Sequence, residues 1–281
     1  MKRNKNFVDK APLLYLVATP IGNLKEMTPR AIEILSECDL IAAEDTRNSY
    51  SLLEKFNIRK EMYSLREHNE NHASEHLISL MKEGKKVAYV SDAGYPGISD
   101  PGYLLVKNCR EAGINVSVIN GASAFTNALV ASGLPTNHFY FYGFLSAKPS
   151  EASKELEAVK GYKDTIIFYE SPHRISKTLK TMLDVLGNRE AVIGRELTKL
   201  NEEFISGTLS ELVLIDESTL KGEMVIVLEG NKDEESIDES MLLNLVKELN
   251  DKGLSSKDAV EIVSRIYKVN KNNLYQKFHN K

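Results

Sequence analysis

The stretch KKVAYVSDAGYPGISDPGYLLVKNCREAG, residues 85–113, decides the fold class of this chain. It begins with a short apolar run, which is typical of a strand covered on both faces of a parallel sheet. A loop rich in glycine and proline follows, in which the string Ser-Asp-X-Gly-Tyr occurs twice, and a helical pattern comes after the loop. Strand, loop and helix in this order build α/β domains, so we predict an α/β fold with a mainly parallel sheet.

The same unit recurs on both sides of this stretch. Apolar runs predict further strands at 13–19, 40–43 and 116–120. Thr28 and Pro29 predict the start of a helix, because threonine is a good N-cap and proline suits the first helical position.

The second half of the chain has a different pattern. Residues 139–144 alternate like a half-exposed strand, and residues 164–170 and 224–230 are predicted to be further strands. A helix is predicted over Pro172–Leu186, closed by Gly187. We therefore predict a second α/β domain with a more mixed sheet.

These patterns divide the chain into four segments. The segments are a flexible N-terminus at 1–12, an N-terminal α/β domain at 13–135, a C-terminal α/β domain at 136–231 and a helical tail at 232–281. The tail carries no acidic residue after Glu261 but five lysines or arginines. That charge suits an anionic partner, although a solvated helix face is the commoner explanation of such a run.

Composition limits the class of protein. The formal net charge is -4, so a partner with a phosphate backbone has to meet a local basic patch rather than the overall field. Two distant cysteines argue against a metal cluster or a disulfide framework and fit a reducing cytoplasm. No apolar run approaches the length that spans a membrane, so we predict a soluble cytoplasmic protein without a metal.

The carboxyl ends of the predicted strands carry short, mostly glycine-containing loops. They are TPIGN at 19–23, EDTR at 44–47, SDAGYPG at 91–97 and NGASA at 120–124. Ligands of open α/β sheets bind at this edge, and glycine lets the backbone approach a ligand closely. None of the loops contains the G-x-G-x-x-G or G-x-x-x-x-G-K-[ST] pattern that holds phosphates. A dinucleotide oxidoreductase is therefore disfavoured, and an adenosyl ligand without phosphates is favoured.

A resemblance to a known family rests on longer motifs. In order, they are TPIGNLKEMTPRA, AEDTR, SDAGYPGISDPG, GASA followed by ALVASGLPT, YESPHRI, RELTK and GEMVIVLEG. Over residues 13–231 the chain resembles the tetrapyrrole methylase superfamily, and more narrowly its branch that methylates small-subunit ribosomal RNA. The resemblance implies a homodimer with S-adenosylmethionine in the cleft between two α/β domains. It also implies 2'-O-methylation of a cytidine in the decoding region of 16S rRNA, on the assembled small subunit.

The resemblance also implies a set of cofactor contacts. Two positions depart from the family pattern, because Tyr95 stands where a small residue is usual and Gly97 where a larger apolar residue or alanine is common. The loop after the strand at 139–144 also has few of the positive charges that are frequent in the family. The implied contacts are Pro20, Ile21, Gly22, Asp92, Gly94, Tyr95, Gly97, Ile98, Gly121, Ala122, Ser123, Ala124, Gly222, Glu223 and Met224.

Methyl transfer to a ribose hydroxyl needs one group that takes the proton. The candidates are Asp100, Glu170 and His173. For Asp100 the favoured interpretation is structural, because Asp-Pro-Gly before an apolar helix is typical of an N-cap followed by proline. Ser171 and Pro172 predict another helix start of the same kind.

Four cations are candidates for RNA contact. They are Arg47, Arg174, Arg195 and Lys199. Arg174 is predicted in the first turn of a helix, where the helix dipole disfavours a cation, so it holds either a phosphate or a salt bridge to Glu170. For the other three, an ion pair is the alternative to an RNA contact. Histidines at 68, 72 and 76 share one predicted helix face, and a solvated helix start explains them better than zinc.

Two other functions remain open at this point. One keeps S-adenosylmethionine and changes the acceptor to a tetrapyrrole carbon. The other is a noncatalytic RNA-binding ribosome assembly factor, which requires degraded cofactor loops. YESPHRI, RELTK and the basic tail favour the RNA branch of the resemblance.

Overall fold

The computed structural model of the chain describes residue 6 and residues 13–232 and 239–279. Most of the predicted flexible N-terminus, 1–12, and the acidic run at 233–236 lie outside these residues. The described residues up to 231 form one compact unit, and those from 232 onward form a second. The predicted division at 135 and 136 falls inside the first unit and stays a prediction.

The first sheet has five parallel strands in the order β3-β2-β4-β1-β5. Its central strands are apolar because helices cover both faces, as the sequence predicts. The strands are β1 (Leu14–Val17), β2 (Leu40–Ala43), β3 (Met62–Ser64), β4 (Val87–Val90) and β5 (Val116–Ile119). The helices are α1 (Pro29–Glu37), α2 (Thr46–Glu54), α3 (Glu70–Lys82), α4 (Tyr103–Glu111) and α5 (Ala124–Ala131).

The second sheet also has five strands, in the order β6-β7-β10-β8-β9. Only the pair β6 and β7 is parallel, and the other neighbours are antiparallel. The strands are β6 (Phe139–Phe144), β7 (Thr165–Glu170), β8 (Glu190–Arg195), β9 (Glu203–Thr208) and β10 (Met224–Leu228). The helices are α6 (Pro149–Val159), α7 (Ile175–Leu186) and α8 (Leu209–Leu212). The predicted α/β class, with one parallel and one mixed sheet, is confirmed.

Helix α5 joins the two sheets. It follows β5 of the first sheet, yet Ala128 and Leu129 on its buried side pack against Ile167, Val225 and Val227 of the second sheet. The opposite face of the second sheet is covered by α6, α7 and α8. Because α5 starts in the NGASA loop, its packing brings the loop edge of the first sheet against β7 and β10.

The predicted cap of α4 is wrong. The helix begins at Tyr103 with Gly102 as its N-cap, and Asp100 lies outside it. Glu70 of α3 satisfies the helix start instead, since its Oε1 accepts hydrogen bonds from the N–H groups of Gly102 and Leu104, both at 2.9 Å, and of Leu105 at 3.3 Å. The buried Glu70 carboxylate, which belongs to another helix, therefore caps α4 in place of Asp100.

The predicted start of α7 is also wrong, whereas its end is right. Helix α7 begins at Ile175 with Arg174 as the N-cap residue, three residues after the predicted proline start. Residues 172–174 form a turn, so Arg174 is not in the first helical turn. Gly187 ends the helix with a φ of 81°.

The second unit consists of three helices, α9 (Glu239–Asp251), α10 (Ser256–Tyr267) and α11 (Lys271–His279). Its own apolar core includes Val246, Val260 and Leu274. Ser255 caps α10, and Lys268, in the left-handed conformation, ends it. Among the residues that the structure describes, no helix is both long and apolar enough to cross a membrane.

Candidate active site

A cavity of about 320 Å³ lies where the loop edge of the first sheet meets β7 and β10 of the second. Its walls come from the loops after β1, β4 and β5, from the ends of β6 and β7, and from the segment after β8. The lining residues are Ile21, Asp92, Ala93, Gly94, Tyr95, Ile98, Ser99, Asp100, Ser123, Ala124, Phe125, Phe144, Tyr169, Glu170, Ser171, Glu196, Leu197, Lys199, Glu223, Met224 and Val225.

Hydrogen bonds connect the loops after β1 and β4 beside the cavity. Thr19 and Gly94 exchange two backbone hydrogen bonds, at 2.9 and 3.0 Å, and the Thr19 hydroxyl donates to the carbonyl of Ser91. Gly94 has a φ of 74°, a conformation that suits glycine. The TPIGN and SDAGYPG loops therefore form one fixed wall.

Tyr95 extends this wall to the loop after β5. The Tyr95 hydroxyl accepts a hydrogen bond of 3.2 Å from the N–H of Gly121. Gly121 itself lies so close to Ala18 that a Cβ would stand 2.9 Å from the Ala18 Cβ and 3.0 Å from its carbonyl oxygen. The tyrosine that departs from the family pattern thus links the SDAGYPG and NGASA loops across the cavity wall.

Asp100 is half-buried in the cavity. Burial raises the pKa of its carboxyl to about 6, and the nearby carboxylates of Glu44 and Asp92 add to the rise, while a hydrogen bond from Ser91 opposes it. The preceding residue, Ser99, has a φ of 60°, which a residue other than glycine or asparagine seldom adopts. Strain beside a titratable group in a cavity is typical of a functional position.

The other two candidates for the proton acceptor differ from Asp100. Glu170 lines the cavity and is 2% exposed, but its carboxylate already accepts hydrogen bonds from the Ser171 N–H at 2.8 Å and the Thr178 hydroxyl at 2.6 Å. It also pairs with Arg174 at 3.4 Å. His173 is exposed and does not line the cavity. The structure therefore brings Asp100 and Glu170 to the cavity. The Glu170 carboxylate is already engaged by two hydrogen bonds and an ion pair, so Asp100 is the better candidate for the proton acceptor.

Arg174 makes structural contacts. Its Nη2 donates to the carbonyl oxygens of Leu145 at 2.8 Å and Ser146 at 3.1 Å, while its Nε faces Glu170. It thereby fixes the connection between β6 and α6 to the end of β7. The salt bridge that sequence analysis offered as the alternative to a phosphate contact is present, and an RNA contact stays a prediction.

The segment after β8 closes the cavity from the side of the second sheet. Glu196 and Thr198 both have positive φ, 50° and 69°, and Lys199 Nζ donates to Glu196 Oε1 at 2.9 Å. The Lys199 stem covers Gly22, where an added Cβ would overlap with Lys199 Cγ. The Glu196 carboxylate covers Gly222, where an added Cβ would overlap with Glu196 Oε1. RELTK therefore links the TPIGN loop to the GEM segment.

The structure separates the predicted contacts into two groups. Those that line the cavity are Ile21, Asp92, Gly94, Tyr95, Ile98, Ser123, Ala124, Glu223, Met224 and Lys199. Those that do not line it are Pro20, Gly22, Gly97, Gly121, Ala122, Gly222, Arg47, Arg174 and Arg195. Phe144 and Tyr169 line the cavity but are not among the predicted site residues, because a single aromatic residue at a strand end carries no pattern of its own.

Arg47 and Arg195 are paired outside the cavity. Asp45 caps α2 and holds the guanidinium of Arg47 with two hydrogen bonds, although the Arg47 side chain is 83% exposed. Arg195 pairs with Glu203 on the neighbouring strand. Within the part of the chain that the structure describes, no group of three metal-ligating side chains is found.

Comparisons with known proteins agree with this architecture. A model of the family described as Tetrapyrrole (Corrin/Porphyrin) Methylases matches residues 13–213. The solved structure of uroporphyrin-III-C-methyltransferase from Thermus thermophilus superposes with a TM-score of 0.55 at 19% identity, covering 77% of this chain and 93% of that one. Diphthine synthase superposes with a TM-score of 0.59 at 18% identity, covering 77% and 89%. Such low identities speak for the fold alone.

Relatives of much higher identity extend over nearly the whole chain. A Bacillus subtilis (strain 168) protein named ribosomal RNA small subunit methyltransferase I is 42% identical over 99% of both chains. Proteins of the same name from Halalkalibacterium halodurans and Vibrio cholerae are 46% and 44% identical, over 96% and 98% of this chain and 96% and 97% of their own.

The chain therefore belongs to the tetrapyrrole methylase family, and it is a methyltransferase. Within that family it groups with the proteins named ribosomal RNA small subunit methyltransferase I, to which it is similar from end to end. The resemblance carried by the sequence motifs is confirmed.

Proposed function

We propose that this protein uses S-adenosylmethionine to methylate the ribose 2'-hydroxyl of a cytidine in the decoding region of 16S rRNA, on the assembled small subunit. The observation that carries the proposal is the half-buried Asp100 carboxylate inside a cavity walled by the glycine loops. The names of the full-length relatives support the RNA substrate.

The charge of the cavity fits the cofactor. Its described lining contains five carboxylates and a single cation, Lys199, which is itself paired with Glu196. A negative lining favours a ligand that carries a sulfonium and an ammonium group, and it disfavours a polyphosphate. The five carboxylates are Asp92, Asp100, Glu170, Glu196 and Glu223.

The residues of the cavity have two roles in this reaction, the positioning of the ligand and the acceptance of a proton. When bound, S-adenosylmethionine supplies an electrophilic methyl group on its sulfonium. Ile21, Gly94 and Met224 offer backbone and apolar surface that positions the ligand, which is the main requirement of an in-line displacement. Asp100 takes the proton of the ribose hydroxyl, because a carboxylate with a pKa of about 6 is both ionised at neutral pH and a better base than an ordinary one.

The two other functions have less support. Solved structures of tetrapyrrole methylases cover 77% of this chain at 16 to 19% identity, whereas the relatives named for ribosomal RNA cover nearly all of it at more than twice that identity. A noncatalytic assembly factor would not need a cavity-facing Asp100 beside the strained Ser99, and apart from Tyr95 and Gly97 the loops of the cavity keep the family pattern.

One experiment tests the proposal. The protein is incubated with S-adenosylmethionine labelled in its methyl group and with small ribosomal subunits that lack the modification, and the label is mapped by nuclease digestion. We expect label at one cytidine of 16S rRNA, in a dinucleotide that resists alkaline hydrolysis. Cofactor binding without label in the RNA, or label on a tetrapyrrole offered in parallel, contradicts the proposal.

The contact between Gly222 and Glu196 gives a second prediction. We expect Gly222→Ala to lose about 1 kcal/mol of stability through its φ of 83°, and to weaken cofactor binding because the new Cβ displaces Glu196 and its partner Lys199. Urea unfolding and calorimetry with S-adenosylmethionine measure the two effects.

Gly187→Ala is the matched control for this variant. Gly187 has nearly the same φ, 81°, but a Cβ there meets nothing within 4 Å. It should therefore keep cofactor affinity, although it loses stability as well, because its ψ of -177° lies in a region that is almost exclusive to glycine. Equal cofactor affinity in both variants argues against a role of Glu196 and Lys199 at the cofactor.

The homodimer implied by the family resemblance and the RNA contacts of Arg47, Arg174, Arg195 and Lys199 belong to the same proposal. Sedimentation of the free protein tests the dimer.

Charge-reversal of the basic tail, for example Lys271→Glu together with Lys277→Glu on α11, tests whether that unit contributes to binding of the small subunit.

A further inference from the structure

The edge strand β6 contains a bulge that changes which way its last residue faces. Phe141 pairs with Ile167, but Gly143, not Tyr142, pairs with Phe168, and Phe144 then pairs with Tyr169. In a regular strand Phe144 would share the face of Tyr142, which packs on the core beneath α6 and α7. The extra residue moves it to the face of Phe141, toward the cavity.

The geometry of the aromatic rings agrees with this change of face. The ring centroid of Phe144 lies 5.4 Å from that of Tyr169, and the centroid of Phe141 lies 5.0 Å from it on the same side. Gly143 allows the bulge with a φ of 85°, and its Cβ position would be 3.3 Å from the Ser99 hydroxyl oxygen. The bulge therefore fits beside the strained residue that precedes Asp100.

Phe144 is more exposed than the aromatic residues that surround it at the cavity. Phe125, Phe141 and Tyr169 are partly buried in the cluster around α5, whereas Phe144 is 53% exposed although it lines the cavity. The exposed part of its apolar surface gains nothing from folding. RNA-binding proteins stack unpaired bases on exposed aromatic rings, and Phe144 is such a ring on the lining of a cavity.

The cavity places this ring close to the proposed proton acceptor. Burial raises the pKa of the Tyr169 hydroxyl, and the nearby charges of Asp100 and Glu223 add to the rise. Phe144 contacts the ring of the same tyrosine. Gly143 and Ser99, the chain neighbours of Phe144 and Asp100, lie against each other, and Phe144 and Asp100 line the same cavity. A nucleotide whose ribose faces Asp100 can therefore present its base to Phe144, because base and 2'-hydroxyl are attached to neighbouring atoms of one sugar.

We propose that the half-exposed ring of Phe144 is the platform on which the base of the target nucleotide stacks while its 2'-hydroxyl faces Asp100. This inference rests on the proposed function, and it names a residue that binds the acceptor rather than the cofactor. It assigns the bulge in β6 a purpose, since the bulge turns an aromatic ring from the core face to the cavity.

The first test uses fluorescence and needs no turnover. The chain has no tryptophan, so Phe144→Trp introduces a single reporter, and Phe139→Trp places one on the same strand at a residue that is 45% exposed and outside the cavity. We expect a cytidine-containing oligoribonucleotide to quench the indole fluorescence of the Phe144→Trp variant and to leave that of the Phe139→Trp variant unchanged. Quenching of the Phe144→Trp fluorescence by S-adenosylmethionine alone overturns the inference. So does a fluorescence change of equal size in both variants, whether it is caused by RNA or by a rising protein concentration.

The second test uses steady-state kinetics with small ribosomal subunits. We expect Phe144→Leu to raise the KM for the subunits about tenfold or more, while Phe144→Trp stays near the wild-type value and Phe139→Leu has little effect. Calorimetry should show unchanged affinity for S-adenosylmethionine in all three variants. A normal KM for Phe144→Leu overturns the stacking role but leaves the proposed function standing, whereas absence of methylation by the wild-type protein refutes the proposed function and leaves the fluorescence result to decide the stacking.

Discussion

Replacing Asp100 by asparagine is expected to reduce the rate of methyl transfer about 100- to 10,000-fold, because in the proposed mechanism the ribose hydroxyl then loses its proton acceptor. Asparagine has nearly the same shape, so the affinity for S-adenosylmethionine should stay unchanged. Single-turnover rates and calorimetry measure the two quantities. Asp184→Asn, an exposed aspartate on α7, serves as the control. A normal rate for Asp100→Asn assigns the proton to another group.

The same residue predicts the pH dependence of the reaction. The base has to be ionised, and the pKa of Asp100 is raised to about 6, so the rate of the wild-type protein should fall as the pH drops below about 6. A rate that is constant between about pH 5 and pH 8 contradicts this role of Asp100.

The stability of the wild-type protein should depend on pH in the opposite sense to the rate of methyl transfer. Because the folded protein raises the pKa of Asp100 above its ordinary value of 3.8, folding favours the protonated form, and stability is lost as the pH rises toward 6. Asp100→Asn removes this loss. We expect the variant to be more stable than the wild type above about pH 7 and equally stable below about pH 4, as measured by urea unfolding. An inactive variant with increased stability cannot owe its inactivity to misfolding.

The second large effect is expected at Glu70. Glu70→Ala leaves the N–H groups of Gly102, Leu104 and Leu105 without their acceptor in a buried place, and it removes a negative charge from a helix N-terminus. We expect a loss of about 3 kcal/mol in the free energy of unfolding. Because Gly102 closely follows Asp100 in the chain, the rate of methyl transfer should fall as well.

Two variants serve as controls for Glu70→Ala. Glu70→Gln keeps one acceptor oxygen and should lose less stability than the alanine variant. Glu75→Ala changes an exposed residue of the same helix and should stay within about 0.5 kcal/mol of the wild type. If Glu70→Ala and Glu75→Ala unfold at the same urea concentration, the carboxylate does not stabilise α4.

Much of the first sheet was predictable because its signals are local. An apolar run such as that of β4 forms a strand wherever helices cover both of its faces, and Thr28 with Pro29 caps α1 as predicted. Strand β3 had no such signal, since it is a three-residue edge strand with only partly buried side chains. The glycine loops could be placed at one edge because parallel strands end at the same side of a sheet.

The candidate site was predictable only in part. Gly94, Tyr95 and Met224 line the cavity as expected, whereas Gly97 and Gly222 do not. Phe144 escaped prediction because a bulge, which the letters FYFYGF do not reveal, reverses the side on which it lies.

The doubled string SDAGYPGISDPGY shows most clearly what the sequence and the structure each decide. By itself the sequence determined an α/β fold, glycine-lined loops at the ends of parallel strands and membership of a methyltransferase family. Only the tertiary structure decided that Asp100 faces the cavity rather than caps α4. The physical reason is that the N–H groups at the start of α4 are taken by Glu70, which precedes Gly102 by 32 residues. The pKa of Asp100 is raised first by burial, and then by Glu44, which follows β2, and by Asp92, which lies earlier in the loop after β4.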